Sequence, residues 1–187
     1  AEARLPKALA VVNPNRLDQD SPLCHLAAVG VSFMVIAGVQ RTLKDRGFFD
    51  RRGITPPDLR LFLDLVALGT VCDVVPLLGL NRAFVRQGLK VMASRRHVGL
   101  RALSDVCAFT EPPGSYHLGF LLGPRINAGG RVGAASTGTR LLTTTDPTIA
   151  QGLALQLDQW NQERRAIEQG VLDDAMAMAA AEHAAGA

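Results

Sequence analysis

Arg125, Asn127 and Arg131 fall within the run Gly123-Pro124-Arg125-Ile126-Asn127-Ala128-Gly129-Gly130-Arg131. Each guanidinium offers a planar fork of donors matched to a phosphate, and the Asn127 amide adds two more. The glycines permit backbone angles closed to other residues, and Pro124 stiffens the entry. The run reads as a rigid polar loop built to hold an anion. Arg and Asn in a tight loop also commonly bond backbone carbonyls, so a structural role competes with the phosphate-binding one.

Asp73 is the second candidate. Its sequence neighbours are Val71, Cys72, Val74, Val75 and Leu77. A carboxylate in such company is costly unless it is paired or metal-bound. It could be an oxygen ligand of a Mn²⁺ or Mg²⁺ pair, because hard cations suit carboxylates. Alternatively it is a turn aspartate bonded to nearby amides, which spacing alone favours. Asn161, Gln162 and Arg165 make a third set on the polar side of a long helix, where a plain solvated face is the competing reading. His25, His97, His117 and His183 show no ligand spacing. Cys24, Cys72 and Cys107 form no CxxC pair, so neither a zinc site nor a disulfide framework is indicated.

These residues need elements to carry them. Ala8 to Val12 is a short apolar run closed by Asn13-Pro14, which predicts a buried strand and turn. Ser21-Pro22 predicts a cap and the start of a buried helix running to Arg46, stopped by Gly47. Residues 48–56 read as a polar loop. A mostly apolar helix from Asp58 to Gly69 leads into Asp73. Helices follow at Asn81–Ala93, with Phe84, Val85, Leu89 and Met92 on one face, and at Gly99–Phe109. Glu111-Pro112-Pro113-Gly114 is the clearest break. A short helix is expected at Ala135–Leu142. Asp146-Pro147 predicts another helix start. Ile149, Leu153, Leu157, Trp160, Ile167 and Val171 then mark one face of a helix reaching His183. Met176 and Met178 are expected to pack along it.

Four ordered motifs carry a resemblance. Ala67-Leu68-Gly69-Thr70-Val71-Cys72-Asp73-Val74-Val75-Pro76-Leu77 precedes the arginine run. Leu157-Asp158-Gln159-Trp160-Asn161-Gln162-Glu163-Arg164-Arg165 follows it. Val12-Asn13-Pro14-Asn15 and Leu26-Ala27-Ala28-Val29-Gly30-Val31 come first. Together they resemble the DHH phosphoesterase superfamily, and within it the RecJ-type single-strand-specific exonucleases, from about residue 8 to about residue 172. Cys72 and Gly129 stand where that family usually has Ala. The superfamily's Asp-His-His triplet is not in the sequence, and the resemblance implies that it lies ahead of residue 1 in a longer protein. It implies that Asp73 is a metal ligand, and that Arg125, Asn127 and Arg131 hold DNA phosphates or support the scissile one. Asn161, Gln162 and Arg165 would line a nucleic-acid groove.

Composition bounds these readings. A chain of 187 residues with 48% hydrophobic content can bury a real core. The net charge of +3 does not by itself indicate nucleic acid, but the cations are 17 Arg against 3 Lys. Aromatic content of 5% argues against a base-stacking platform. No signal pattern opens the chain, and Leu23 to Val39 is too short for a membrane span. A cytoplasmic protein with reduced thiols is expected.

The fold expected is α/β and predominantly helical. It would comprise the later half of a DHH-type catalytic domain (1–110), an arginine-loop linker region (111–145) and a long connecting helix (146–187). The resemblance implies a 5′-to-3′ exonuclease on single-stranded DNA, acting in recombination and repair with Mn²⁺ or Mg²⁺. This chain alone would be inactive, because one aspartate cannot hold a hydrolytic metal. The rivals are another DHH phosphoesterase, acting on oligonucleotides or cyclic dinucleotides, and a non-catalytic nucleic-acid-binding scaffold.

Overall fold

A computed structural model describes residues 6–18 and 20–185. Helices dominate because apolar residues recur at three- and four-residue steps through most of the chain. In order these are α1 (Ala28–Asp45), α2 (Phe48–Arg52), α3 (Leu63–Cys72), α4 (Gly79–Ala93), α5 (Val98–Val106), α6 (Gly123–Arg131), α7 (Ser136–Thr143) and α8 (Pro147–Ala185). A 3₁₀ turn, Leu59–Phe62, precedes α3, and a π-helical segment, His117–Leu122, precedes α6. The chain divides into two compact units: residues 1–94 with 112–119, and residues 95–111 with 120–187.

The first unit is built on α3 and α4. Six of the ten α3 residues are buried, as its apolar composition requires. The core joins Leu26, Leu63, Val66 and Phe84, with Phe33 set edge-on to Phe84 at 5.3 Å between ring centroids. Gly88 lets α3 and α4 approach. A Cβ there would run into the Leu63 carbonyl oxygen and the Ala67 methyl.

The second unit packs α5, α6 and α7 on α8. Asp146 starts α8 as its sequence signal predicts, its carboxylate accepting from the amides of Thr148 (2.7 Å) and Ile149 (3.1 Å). Ala150, Leu153, Ala154, Leu157 and Asn161 are the buried α8 residues. Past Asn161 the helix is exposed as far as His183 apart from Arg164. The Ile167–Val171 continuation of the apolar face, and Met176 and Met178 with it, therefore do not pack.

Several expectations need correction. No strand occurs among the described residues, so the β part of the α/β expectation is not met. The 8–12 run is instead bent and mostly exposed, because a strand needs a second extended segment to pair with. The helix expected from Ser21 begins at Ala28. Ser21 caps only a turn, its Oγ accepting from the Leu23 amide at 3.2 Å. Nor is α1 buried: Gly30 is its one buried residue, and Met34, Val35, Ile36 and Val39 are exposed. Within 48–56, Phe48–Arg52 is helical. Among the described residues no helix is long and apolar enough to cross a membrane.

Candidate functional site

Asp73 is the residue that ends α3. Its amide donates to the Gly69 carbonyl at 3.0 Å, closing the last turn. Its side chain is exposed, and Val74 beside it is 88% exposed. The apolar neighbourhood expected from the sequence is thus not a buried one. The chain turns outward at Val74; Val75 is half-buried, while Pro76, Leu77 and Leu78 face solvent with Asp73.

The fold sets Asp73 on a cleft of about 420 Å³ that is also lined by Asn13, Pro14, Asn15, Ala28 and Ser32. Two motifs far apart in sequence, Asn13-Pro14-Asn15 and the Asp73 run, therefore share one cleft. Asn13 closes its own turn there, its Oδ1 accepting from the Asn15 amide at 2.9 Å. The cleft offers one carboxylate, two amides and a hydroxyl. Among the described residues no three His, Cys, Asp or Glu side chains gather into a metal set.

The arginine run is not a loop. Gly123–Arg131 is helix α6, with Pro124 in its first turn, where a missing N–H costs nothing. Its small residues serve helix packing: Ala128 and Gly129 are buried, and a Cβ on Gly129 would lie 3.2 Å from Leu157. Gly133, just past the helix, leaves room for the Trp160 ring, which any Cβ would strike.

The helical register separates the three candidates. Arg125 is turned inward: its Nε donates to Asp158 at 2.7 Å and its NH1 to the Leu121 carbonyl at 2.9 Å. Asn127 and Arg131 are exposed. The Arg131 guanidinium lies 3.9 Å from Glu168, with 64% of its side chain exposed. On α8, Asn161 is buried rather than on the polar side, its Oδ1 accepting from Arg164 at 3.1 Å. Gln162 donates to the second Asp158 oxygen at 2.8 Å, and Arg165 is exposed.

Sequence reasoning missed Asp158, the hub between Arg125 and Gln162, although it sits within a quoted motif. It also missed Asn81, which is fully buried and donates to the carbonyls of His25 (2.8 Å) and Pro76 (3.0 Å). The signal was available: Asn81 precedes Phe84 and Val85 by one helical turn, on the apolar face of α4.

Comparison with known proteins gives these motifs a context. No family model matches the chain. It is 44% identical to the single-stranded-DNA-specific exonuclease RecJ of Salmonella typhimurium, over 92% of the chain and 30% of the relative. It is 43% identical to Escherichia coli RecJ, over 93% of the chain and 30% of the relative. A crystal structure of Thermus thermophilus RecJ in complex with Mn²⁺ matches 67% of the chain and 19% of its own, at 38% identity and a TM-score of 0.59. The chain thus spans less than a third of the length of these relatives. Over nearly all of its residues, it is homologous to one segment of the RecJ exonucleases.

Proposed function

We propose that the chain is the part of a metal-dependent exonuclease that contributes Asp73 and the α6 arginine. The enzyme hydrolyses phosphodiester bonds of single-stranded DNA from 5′ to 3′, in recombination and repair. Relatives named for single-stranded-DNA-specific exonuclease activity, and RecJ structures holding Mn²⁺ or Mg²⁺, support this reading. The observation that carries it is the meeting of Asp73 with Asn13-Pro14-Asn15 on one cleft. In this reading residues 1–110 complete a DHH-type catalytic domain, 111–145 link onward, and 146–187 form a connecting helix. The run 8–12 would then pair with strands supplied by the rest of that domain.

The donor set does not make a complete hydrolytic site. Mg²⁺ and Mn²⁺ need several placed oxygens or nitrogens, and the cleft has a single anionic one. Asp73 is therefore one ligand, and the others belong to the rest of the enzyme. We assign phosphate contact to Arg131, with Asn127 and Arg165 as further nucleic-acid contacts, because these side chains are exposed. Arg125, Asn161 and Gln162, which the resemblance also puts on the nucleic acid, are tied into the α6–α8 framework and shape it.

The test is digestion of 5′-labelled single-stranded DNA with Mn²⁺, comparing this chain with a RecJ-length protein containing it. Activity in the long protein alone is expected. Asp73→Asn in the long protein should lower kcat by more than about 100-fold, the upper range for merely outer-shell partners of a metal. Its folding should be unchanged, since the side chain is exposed. Robust activity from the 187-residue chain would overturn the incomplete-site reading. A folded but inactive long protein would favour a scaffold or another phosphodiester substrate.

A further inference from the structure

Val74 follows Asp73 with φ 57°, in the left-handed region. A β-branched residue strongly avoids that conformation, so the surrounding structure must impose it. The Val74 side chain is too exposed to do this by packing. Backbone bonds account for part of it: the Val74 amide donates to the Val71 carbonyl at 3.1 Å, and the Leu78 amide to the Pro76 carbonyl at 2.9 Å. The first ties the turn only to the end of α3, the helix it leaves, and the second stays within the turn.

Asn81 does so. It is fully buried, and its two amide hydrogens go to two carbonyls on different segments. One is Pro76, inside the turn that follows Asp73. The other is His25, whose segment leads into α1 and lines the Asp73 cleft through Leu26 and Ala28. Two carbonyl acceptors require an NH₂ group, because a carboxylate would repel both. Asn81 Oδ1 and His25 Nε2 are buried without a hydrogen-bond partner among the described residues, so the side chain is held by its donor end alone.

We propose that Asn81 is a positioning residue: its amide clamps the 73–78 turn to the entry of α1 and so fixes where Asp73 is presented in the cleft. The catalytic consequence rests on the exonuclease reading above; the clamp itself does not.

The experiment compares wild type, Asn81→Asp and Asn81→Ser by amide hydrogen exchange in this chain, and by kcat and KM on single-stranded DNA with Mn²⁺ in the RecJ-length protein. Asn81→Asp is expected to speed exchange at Val74 and Leu78, the hydrogen-bonded amides of the turn, by about tenfold, with α8 amides unchanged. In the long protein kcat should fall by about 10- to 100-fold, as for a displaced catalytic group, with KM held within about twofold. Asn81→Ser keeps one donor and should fall between; it carries the same test if the aspartate variant does not fold. Unchanged exchange in the 73–78 turn overturns the clamp. Faster exchange with unchanged kcat overturns the positioning role. A wild-type long protein without Mn²⁺-dependent nuclease activity overturns the functional reading instead, and the exchange data alone then decide the clamp.

Discussion

Arg125 donates its Nε proton to Asp158 Oδ1 at 2.7 Å, joining α6 to α8 across 33 residues of chain. The two side chains are only 17% and 19% exposed, and Gln162 takes the other Asp158 oxygen. A pair this sheltered differs from a surface bridge, because removing one partner strands a charge in a half-dry site. Asp158→Asn should destabilise the second unit by about 2 kcal/mol, within the range for hydrogen bonds to charged groups. Urea unfolding of the single variants and of Asp158→Asn/Arg125→Met gives the coupling. A coupling near zero would show that the pair is incidental.

What was legible in the sequence follows from which interactions are local. The Asp146 cap and the α4 face of Phe84, Val85 and Met92 depend on near neighbours in sequence and formed as expected; α3 is apolar and buried as expected, but it begins at Leu63 after a 3₁₀ turn and runs to Cys72 rather than spanning Asp58–Gly69. The arginine run was misread because Gly and Pro signal loops locally, while here Gly129 gives α6 room beside Leu157 and Pro124 fits in the first turn. Asp73 was misjudged because apolar sequence neighbours are not spatial ones once the chain turns at Val74. The 8–12 strand and the Ile167–Val171 stripe both need partners that periodicity cannot supply. The clustering of Asp73 with Asn13-Pro14-Asn15 was invisible for the same reason: it is a product of tertiary structure.

Gly88 lies where α4 passes close against α3. An alanine methyl there would overlap the Leu63 carbonyl oxygen, a backbone atom that cannot rotate away. Gly88→Ala gains helix propensity, worth up to about 1 kcal/mol, but overpacking costs about 1–3 kcal/mol. Net destabilisation is expected and is measured by the midpoint of thermal unfolding. A Gly88→Ala variant as stable as wild type would mean that the two helices separate freely.

Cys107 lies near the Arg125–Asp158 pair, and burial pushes its thiol up to about 11. Desolvation is the main cause; Arg125 lowers the value and Asp158 raises it. Because the folded value exceeds the ordinary 9.0, the folded state holds its proton longer than the unfolded chain. The stabilisation is present in full below pH 9.0 and is lost as pH rises from there to about 11. Cys107→Ala should flatten that decline in a pH series of urea midpoints. At pH 8, iodoacetamide should modify exposed Cys24 well before Cys107. Equal labelling rates would contradict the burial.

Arg131 and Glu168 stand 3.9 Å apart with more than half of each side chain in water. Such a pair contributes little to stability, so the guanidinium is free to exchange Glu168 for a phosphate. Glu168 also pairs with Arg164, so one carboxylate holds two arginines near the exposed face. Removing its charge should release Arg131 toward DNA and remove a repulsion. In the RecJ-length protein, Glu168→Gln should bind single-stranded DNA about two- to fivefold tighter at low salt, the size of one exposed ion pair. The gain should vanish near 1 M salt, where screening acts within about 3 Å. Arg131→Ala should lower the slope of log K against log salt by about 0.7, one phosphate contact on a single strand. The combination is the discriminating result. If Glu168→Gln tightens binding equally in the presence of Arg131→Ala, the carboxylate acts on the DNA directly and Arg131 is not the phosphate contact.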